Sequence, residues 1–405
     1  MRRADRYPWV LIALLWFVAF LNAADRNILI AVMPSIKAEF RLDDTGLALL
    51  NSLFFWVYAV CALLSGRMGD SVRRTRIIIY GLVFWSVATG LTAASTGFVM
   101  LLACRVLVAA GEATYYPTAT ALISDWHQPK WRSRALSLHQ TGVFAGAGLG
   151  AVFAGFLADK FSWHVPFGVF ALVGVLHAVV LWRLLRDAPV TTAKARNDEP
   201  LALVLRNPPA VMLCVVFFLA NGAATGITVW APSYVHDALG LTLTGSALVG
   251  SATINIAGFL TVPLGGLLAD WLAKRSPVGR FYTLALGLAL AALLLLPLTS
   301  MTTAAGVSAV LIATSFGKGL FDGCIYAAMH DVVPPHARAT AVGAMTLCGF
   351  VGAGLTPLFV AFTATTLGMA GAMVSLAALY AAAVLLILAM REATRRAVLA
   401  NEHLA

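Results

Sequence analysis

Charge is the scarcest property of this sequence. Asp, Glu, Lys and Arg make up 11% of the 405 residues, and 60% are hydrophobic. Average soluble domains carry about 25% charged residues, so a water-soluble globular fold is excluded. Cysteine is sparse as well. Cys61, Cys104, Cys214, Cys324 and Cys348 form neither a CxxC nor an extracellular pair, which excludes a disulfide framework and leaves all five as apolar packing residues. No residue pair has metal-ligand spacing, and neither a Ser/His/Asp set nor a Gly-rich phosphate loop appears. No enzyme chemistry is therefore expected, no metal or cofactor, and no ATP as energy source. The N-terminal MRRADRYP leads into an apolar run without a small-residue cleavage site, as an uncleaved first helix would.

What is present is hydrophobic length. Runs of 18 or more apolar residues, each enough to cross roughly 30 Å of hydrocarbon, recur from end to end. Turn signals separate twelve spans, at about 9–34, 47–66, 77–95, 98–124, 134–157, 164–185, 210–234, 245–269, 280–299, 304–330, 338–366 and 369–390. The 34 glycines suit close helix packing in a membrane. The polar stretch RDAPVTTAKARNDEPLALVLRNPP, residues 186–209, reads as a linker. It divides the chain into a bundle at 1–185 and a bundle at 210–405. Of the 28 Lys and Arg, three lie opposite the rest (Lys37, Arg41, Lys160) and three lie inside spans (Arg26, Arg105, Lys318). All the others fall on one side, which places both termini in the cytoplasm. This bias accounts for the net charge of +10, so nucleic acid is not implied.

The halves echo each other. Asp70 in GRMGDSVRR answers Asp270 in GGLLADWLAKR, Pro34-Ser35 answers Pro232-Ser233, and Asp125 with Arg132 answers Asp331 with Arg338. The expected fold is an all-α polytopic membrane protein, twelve transmembrane helices in two pseudo-symmetric six-helix bundles. Parallel repeats of this kind characterise a large class of secondary transporters, with the substrate site near the bilayer midplane.

The motifs sharpen this. GRMGDSVRRTR (66–76) resembles the G-x-x-x-D-x-x-x-R-[RK] signature of the major facilitator superfamily, with Thr75 where a basic residue usually stands. RVLVAAGEA (105–113) resembles its fourth-helix R-x-x-x-G-x-G-E, with Ala109 in place of the first Gly. LNAADRNILIAVMPSIKAEF (21–40) is similar to the first helix of the anion:cation symporters, Asp25-Arg26 standing on that family's Asp-Arg pair. The resemblance implies acidic residues that handle protons and arginines that hold an organic anion. Spinster-type lipid transporters share these positions, and VVPPHARATAVG (332–343) and GRFYTLAL (279–286) are closer to them. Drug:proton antiporters usually carry Gly-Pro in the fifth helix. TGVFAGAGLGAVFAGF (141–156) has none, and its glycines suit close packing against a neighbour.

Six charges fall inside spans: Asp25, Arg26, Arg105, Glu112, Lys318 and Asp322. Intramembrane charges are expensive and are functional by default. Desolvation favours a neutral carboxyl and a nearby cation favours the carboxylate, so a carboxyl whose partner moves changes protonation. Glu112 is the first candidate for proton coupling, with Asp25 and Asp322 behind it. Arg26 and Arg105 offer planar forks for a substrate carboxylate. Lys318 binds the anion's other end or pairs with Asp322 at i+4. It is also the repeat mate of Glu112. Asp25 and Arg105 fall at similar depth, which predicts contact between them in at least one state of the transport cycle. Tyr58, Tyr115, Tyr116, Gln140, Asn221, Trp230 and Asn255 are candidate cavity residues, and His139 and His330 candidate gating or solvated groups. Asp70, Arg73, Arg74 and Asp270 are expected to act as conformational locks, Asp70 against Arg73, Arg74 or the eleventh span and Asp270 against the fifth.

The leading expectation is a monomeric inner-membrane symporter, taking up a small organic anion such as a sugar acid with protons. A spinster-like exporter of lysolipids and a drug:proton antiporter stand as alternatives.

Overall fold

The computed structural model describes residues 3–68, 73–127, 129–187, 200–334 and 338–402. Every regular element among them is helical. A chain in hydrocarbon must satisfy its own backbone polar groups, and the helix does so within one segment.

By contacts the chain forms two units, Met1–Lys194 with His236–Ala252, and Ala195–Val235 with Thr253–Ala405. The first contains α1 (Arg3–Phe40), α2 (Asp44–Met68), α3 (Arg74–Ala93), α4 (Phe98–Glu112), α5 (Tyr115–Trp126), α6 (Pro129–Lys160) and α7 (His164–Leu184). After the short α8 (Pro200–Leu205), α9 (Pro208–Leu239) begins in the second unit and ends in the first. There follow α10 (Leu243–Ala247), a π-helical turn (Leu248–Ala252), α11 (Thr253–Ala273), α12 (Gly279–Leu295), a 3-10 turn (Leu296–Ser300), α13 (Ala304–Asp322), α14 (Ile325–Val332), α15 (Arg338–Ser375), α16 (Ala377–Ala389) and α17 (Arg391–Glu402). Residues 236–252 pack on α6 and group with unit 1 by contacts.

Eleven segments among the described residues are long and apolar enough to cross a bilayer. The last, Thr340–Ala389, has 50 residues. As one helix it would reach about 75 Å, more than twice the hydrocarbon thickness. It breaks at Gly368, whose φ of 69° and ψ of 165° leave the helical region and are open only to glycine. Two crossings result, and the total is the expected twelve.

In unit 1, α1 lies along α6, and α3 lies against α7 and α4. The glycines of α6 make the first of these contacts. A Cβ on Gly146 would stand 2.1 Å from the Phe20 carbonyl oxygen, and neighbouring turns repeat the close approach at Gly142 against Trp16 and Gly150 against Ala24. In unit 2, α13 packs between α11 and α12, and α12 also meets α16. There Thr356 Oγ1 donates to the Gly222 carbonyl at 2.6 Å, tying α15 to α9.

The two units repeat each other in detail. Arg74 pairs with Asp125, and Arg280 with Asp331 at 2.7 Å; residue 74 to 280 and 125 to 331 are both offsets of 206. Gly111 of α4 abuts Trp85, and Gly317 of α13 abuts Ala291, in the same register. Glu112 and Lys318 are therefore positional mates.

Candidate functional site: a buried charge cluster in unit 1

The fourth predicted span is not one helix. α4 stops at Glu112, Ala113 and Thr114 turn, and α5 starts at Tyr115. Pro117 supplies a reason, since it lacks an N–H and its ring conflicts with the carbonyl four residues earlier, at Ala113. Thr114 Oγ1 donates to the Gly111 carbonyl at 2.8 Å, and Asn22 Nδ2 to the Glu112 carbonyl at 3.5 Å, so the freed backbone is answered locally. Glu112 thus sits on the last turn of a broken helix, where intramembrane sites are often built. α13 breaks in the same way after Asp322, four residues past the mate of Glu112.

Four charges gather beside the break. Glu112 is 0%, Arg105 2% and Asp25 3% exposed. Arg26 Nε lies 2.9 Å from Glu112 Oε2. The approach is electrostatic and not aligned, because neither Glu112 oxygen accepts a hydrogen bond. Asn22 holds Arg26 in place: its Oδ1 accepts from Nη2, and its carbonyl accepts from Nε at 3.3 Å. The Arg105 guanidinium lies 4.5 Å from the centroid of Phe54, and Arg26 lies 6.0 Å from the same ring and 5.2 Å from that of Tyr58. Ring faces carry negative potential, so Phe54 serves two cations at once.

In this conformation no ion pair joins Asp25 and Arg105; Asp25 Oδ1 and Arg105 Nε are both buried without a hydrogen bond, and Trp85 and Thr89 of α3 lie near the Asp25 carboxylate. Depth along a helix predicts height but not azimuth. Asp25 and Arg26 are neighbours on α1, about 100° apart around its axis. Arg26 takes the α4 side and Asp25 the α3 side.

The remaining candidates sort by their partners. Tyr115 is fully buried; its hydroxyl donates to the Leu15 carbonyl at 2.6 Å and lies 2.7 Å from His139 Nε2. It is a brace between helices, and His139, expected to be gating or solvated, is enclosed with it. Tyr116 is 40% exposed and donates to Gln140 Oε1 at 2.6 Å, so this pair does offer polar surface. Trp230 is buried and donates to the Pro357 carbonyl at 3.1 Å, and Asn221 donates to the Gly349 carbonyl at 3.2 Å. Both bonds tie α9 to α15. Asn255 is half-buried on α11, one turn past the π-helical segment, and His330 is half-buried on α14.

In unit 2, Lys318 Nζ meets Asp322 Oδ1 at 2.5 Å and lies 5.2 Å from the Phe321 ring centroid. Of the two alternatives for Lys318, the i+4 pair is the one formed. Among the lock residues, Asp270 pairs with Arg280 of α12 at 3.0 Å, and Arg280 also holds Asp331. Arg74 holds Asp125, and Arg73 is exposed ahead of α3. Asp70 lies outside the described residues.

Asn22, Phe54, Trp85 and Thr89 were not among the sequence candidates. The signal for Asn22 was available, four residues before Arg26 and so on its helix face. The other three are apolar or hydroxyl residues within apolar spans, and only their neighbours distinguish them.

Residues 15–357 match the Major Facilitator Superfamily. The chain belongs to that superfamily of transporters. Relatives include the hexuronate transporter of Bacillus subtilis (strain 168), 25% identical over 383 residues and covering 90% of both chains. The probable galactarate/D-glucarate transporter of the same organism is 25% identical over 435 residues, 98% of this chain and 94% of that one. The chain spans about half the length of two chloroplastic relatives that it also matches, sodium-dependent phosphate transport protein 1 of Arabidopsis thaliana and probable anion transporter 4 of rice. Among solved structures, a bacterial homologue of the human lysosomal transporter spinster, inward-facing and occupied, has a TM-score of 0.85 at 19% identity, with 98% of each chain covered. That likeness establishes the shared fold of this multi-pass membrane transporter.

Proposed function

We propose that this transporter takes up a small organic anion, a sugar acid or similar carboxylate, together with protons. The observation that carries the reading is the arrangement at the α4 break. A fully buried carboxyl without hydrogen bonds faces one guanidinium at 2.9 Å, and a second buried guanidinium rests on an aromatic ring with no ion pair to an acid among the described residues. Protonating Glu112 would remove the charge that holds Arg26. The freed guanidinium and Arg105 would then suit an incoming carboxylate, which a planar fork binds through two parallel hydrogen bonds. Asp25 is the second carboxyl of the coupling pair. Lys318 and Asp322 neutralise each other and keep unit 2 without net charge at that depth. The substrates for which the two Bacillus relatives are named, hexuronate and galactarate/D-glucarate, are carboxylates of this class.

The proton gradient is the energy source in this reading, and the Lys and Arg bias puts both termini in the cytoplasm of a cell whose inner membrane holds the protein. The test is uptake into proteoliposomes of labelled D-glucuronate, D-glucarate and a lysolipid, with and without an inward proton gradient. Gradient-driven accumulation of a sugar acid supports the proposal. Accumulation of lysolipid alone, or indifference to the gradient, refutes it.

A further inference from the structure

Within unit 2, the contacts between α9 and α15 climb like a ladder, one rung per helical turn. At Phe218 and Gly352 the backbones touch, since a Cβ on Gly352 would stand 2.4 Å from the Phe218 carbonyl oxygen. One turn on, Thr356 Oγ1 donates to the Gly222 carbonyl at 2.6 Å. A further turn on, a Cβ on Gly226 would stand 3.5 Å from Val360 Cγ2. In every rung the partners are 134 residues apart in sequence, as parallel helices in fixed register require.

One turn before Phe218 and Gly352, the same ladder reaches Cys214 and Cys348, again 134 residues apart. Their thiols lie within hydrogen-bond reach of each other. Both are free; Cys214 is buried and Cys348 half-buried. Contacts beside them fix the approach. Asn221 Nδ2 donates to the Gly349 carbonyl at 3.2 Å, and a Cβ on Gly349 would stand 2.4 Å from Phe217 Cδ1. A disulfide needs Cα atoms about 4.4–6.8 Å apart, and a crossing where small residues let backbone touch backbone holds facing residues in that range. Cys324 differs, its Sγ donating to the Leu320 carbonyl at 3.6 Å, four residues back on its own segment. Closure also suits an apolar setting. Two neutral thiols become one neutral disulfide, whereas a cuprous ion held by two thiolates would leave a buried net charge.

We propose that Cys214 and Cys348 form an oxidant-sensitive dithiol, which an organic hydroperoxide closes into a disulfide that bolts α9 to α15. Cys348, the more accessible, reacts first. Its sulfur takes the terminal OH of the hydroperoxide to form a sulfenic acid, the O–O bond breaks, and the alkoxide leaves with the thiol proton as an alcohol. The Cys214 sulfur then attacks the Cys348 sulfur. The S–O bond breaks and hydroxide leaves with the Cys214 proton as water. In sum, two thiols lose two electrons, and the hydroperoxide is reduced to alcohol and water. A dithiol reductant reverses the closure by exchange.

The test needs no cargo, so its outcome is separate from that of the symport reading. Native full-length protein in liposomes is treated with tert-butyl hydroperoxide, denatured, blocked with N-ethylmaleimide and digested without reduction. In the monomer band, mass spectrometry should find the peptides bearing Cys214 and Cys348 joined and two hydrogens lighter than their sum. Maleimide should be lost from these two alone and kept on Cys61, Cys104 and Cys324. Dithiothreitol before blocking should restore both adducts. In Cys214→Ala, Cys348 has no thiol to resolve it, and dimedone added with the oxidant should trap its sulfenic acid. Maleimide retained on both cysteines while glutathione in the same mixture is oxidised, or its loss without a joined peptide, would overturn the proposal.

Discussion

Glu112 and Arg26 set the chemistry at the scale of single residues. Their charges approach to 2.9 Å, while both Glu112 oxygens lack an aligned donor. Such a carboxyl can exist in either protonation state with little rearrangement of its surroundings, which is what coupling needs. Glu112→Gln keeps the shape and removes the proton site. It should abolish gradient-driven accumulation while leaving exchange of internal for external sugar acid, measured as counterflow. Loss of exchange as well would place Glu112 in substrate binding. Arg105 tests the other half of the account. Arg105→Lys preserves the charge but not the planar fork or its seat on Phe54, so carboxylate affinity should fall about tenfold or more in a thermal-shift titration. These four charges were legible in the sequence because charge in an apolar span is conspicuous. Their pairing was not, because an angle of about 100° between Asp25 and Arg26 sends them to different neighbours. Hydropathy carries no azimuth, and Phe54 or Asn22 has no signal of its own in an apolar span.

At the scale of helices, glycine and proline decide what hydropathy cannot. Gly146 lets α6 rest on the backbone of α1 at Phe20. Gly146→Ala should part the two helices and cost about 1–3 kcal/mol, as overpacking does, read as a lowered midpoint in thermal unfolding. Trp230, by contrast, serves as a tie. Trp230→Phe should lose its bond to the Pro357 carbonyl, destabilise by about 1 kcal/mol, and leave sugar-acid affinity unchanged in the same titration. The spans themselves were visible in the sequence, since each must cross the bilayer. The break after Glu112 was missed within the 98–124 span, because a window average over apolar residues passes across Pro117 without a dip.

For the molecule as a whole, duplication is the organising fact. Arg74–Asp125 and Arg280–Asp331 recur at one offset, yet their units differ where function concentrates. Glu112 occupies the position that Lys318 holds in the repeat. In unit 1 this yields a carboxyl that faces cations across helices, and in unit 2 a lysine satisfied by Asp322 one turn away on its own helix. In the proposed symport, coupling belongs to the first unit and the inward proton gradient is the drive. The most direct measurement is accumulation of labelled D-glucuronate by proteoliposomes holding the purified protein. The account predicts accumulation above the external concentration when the outside is acidic and none when the gradient is collapsed. Equal uptake with and without the gradient would contradict it.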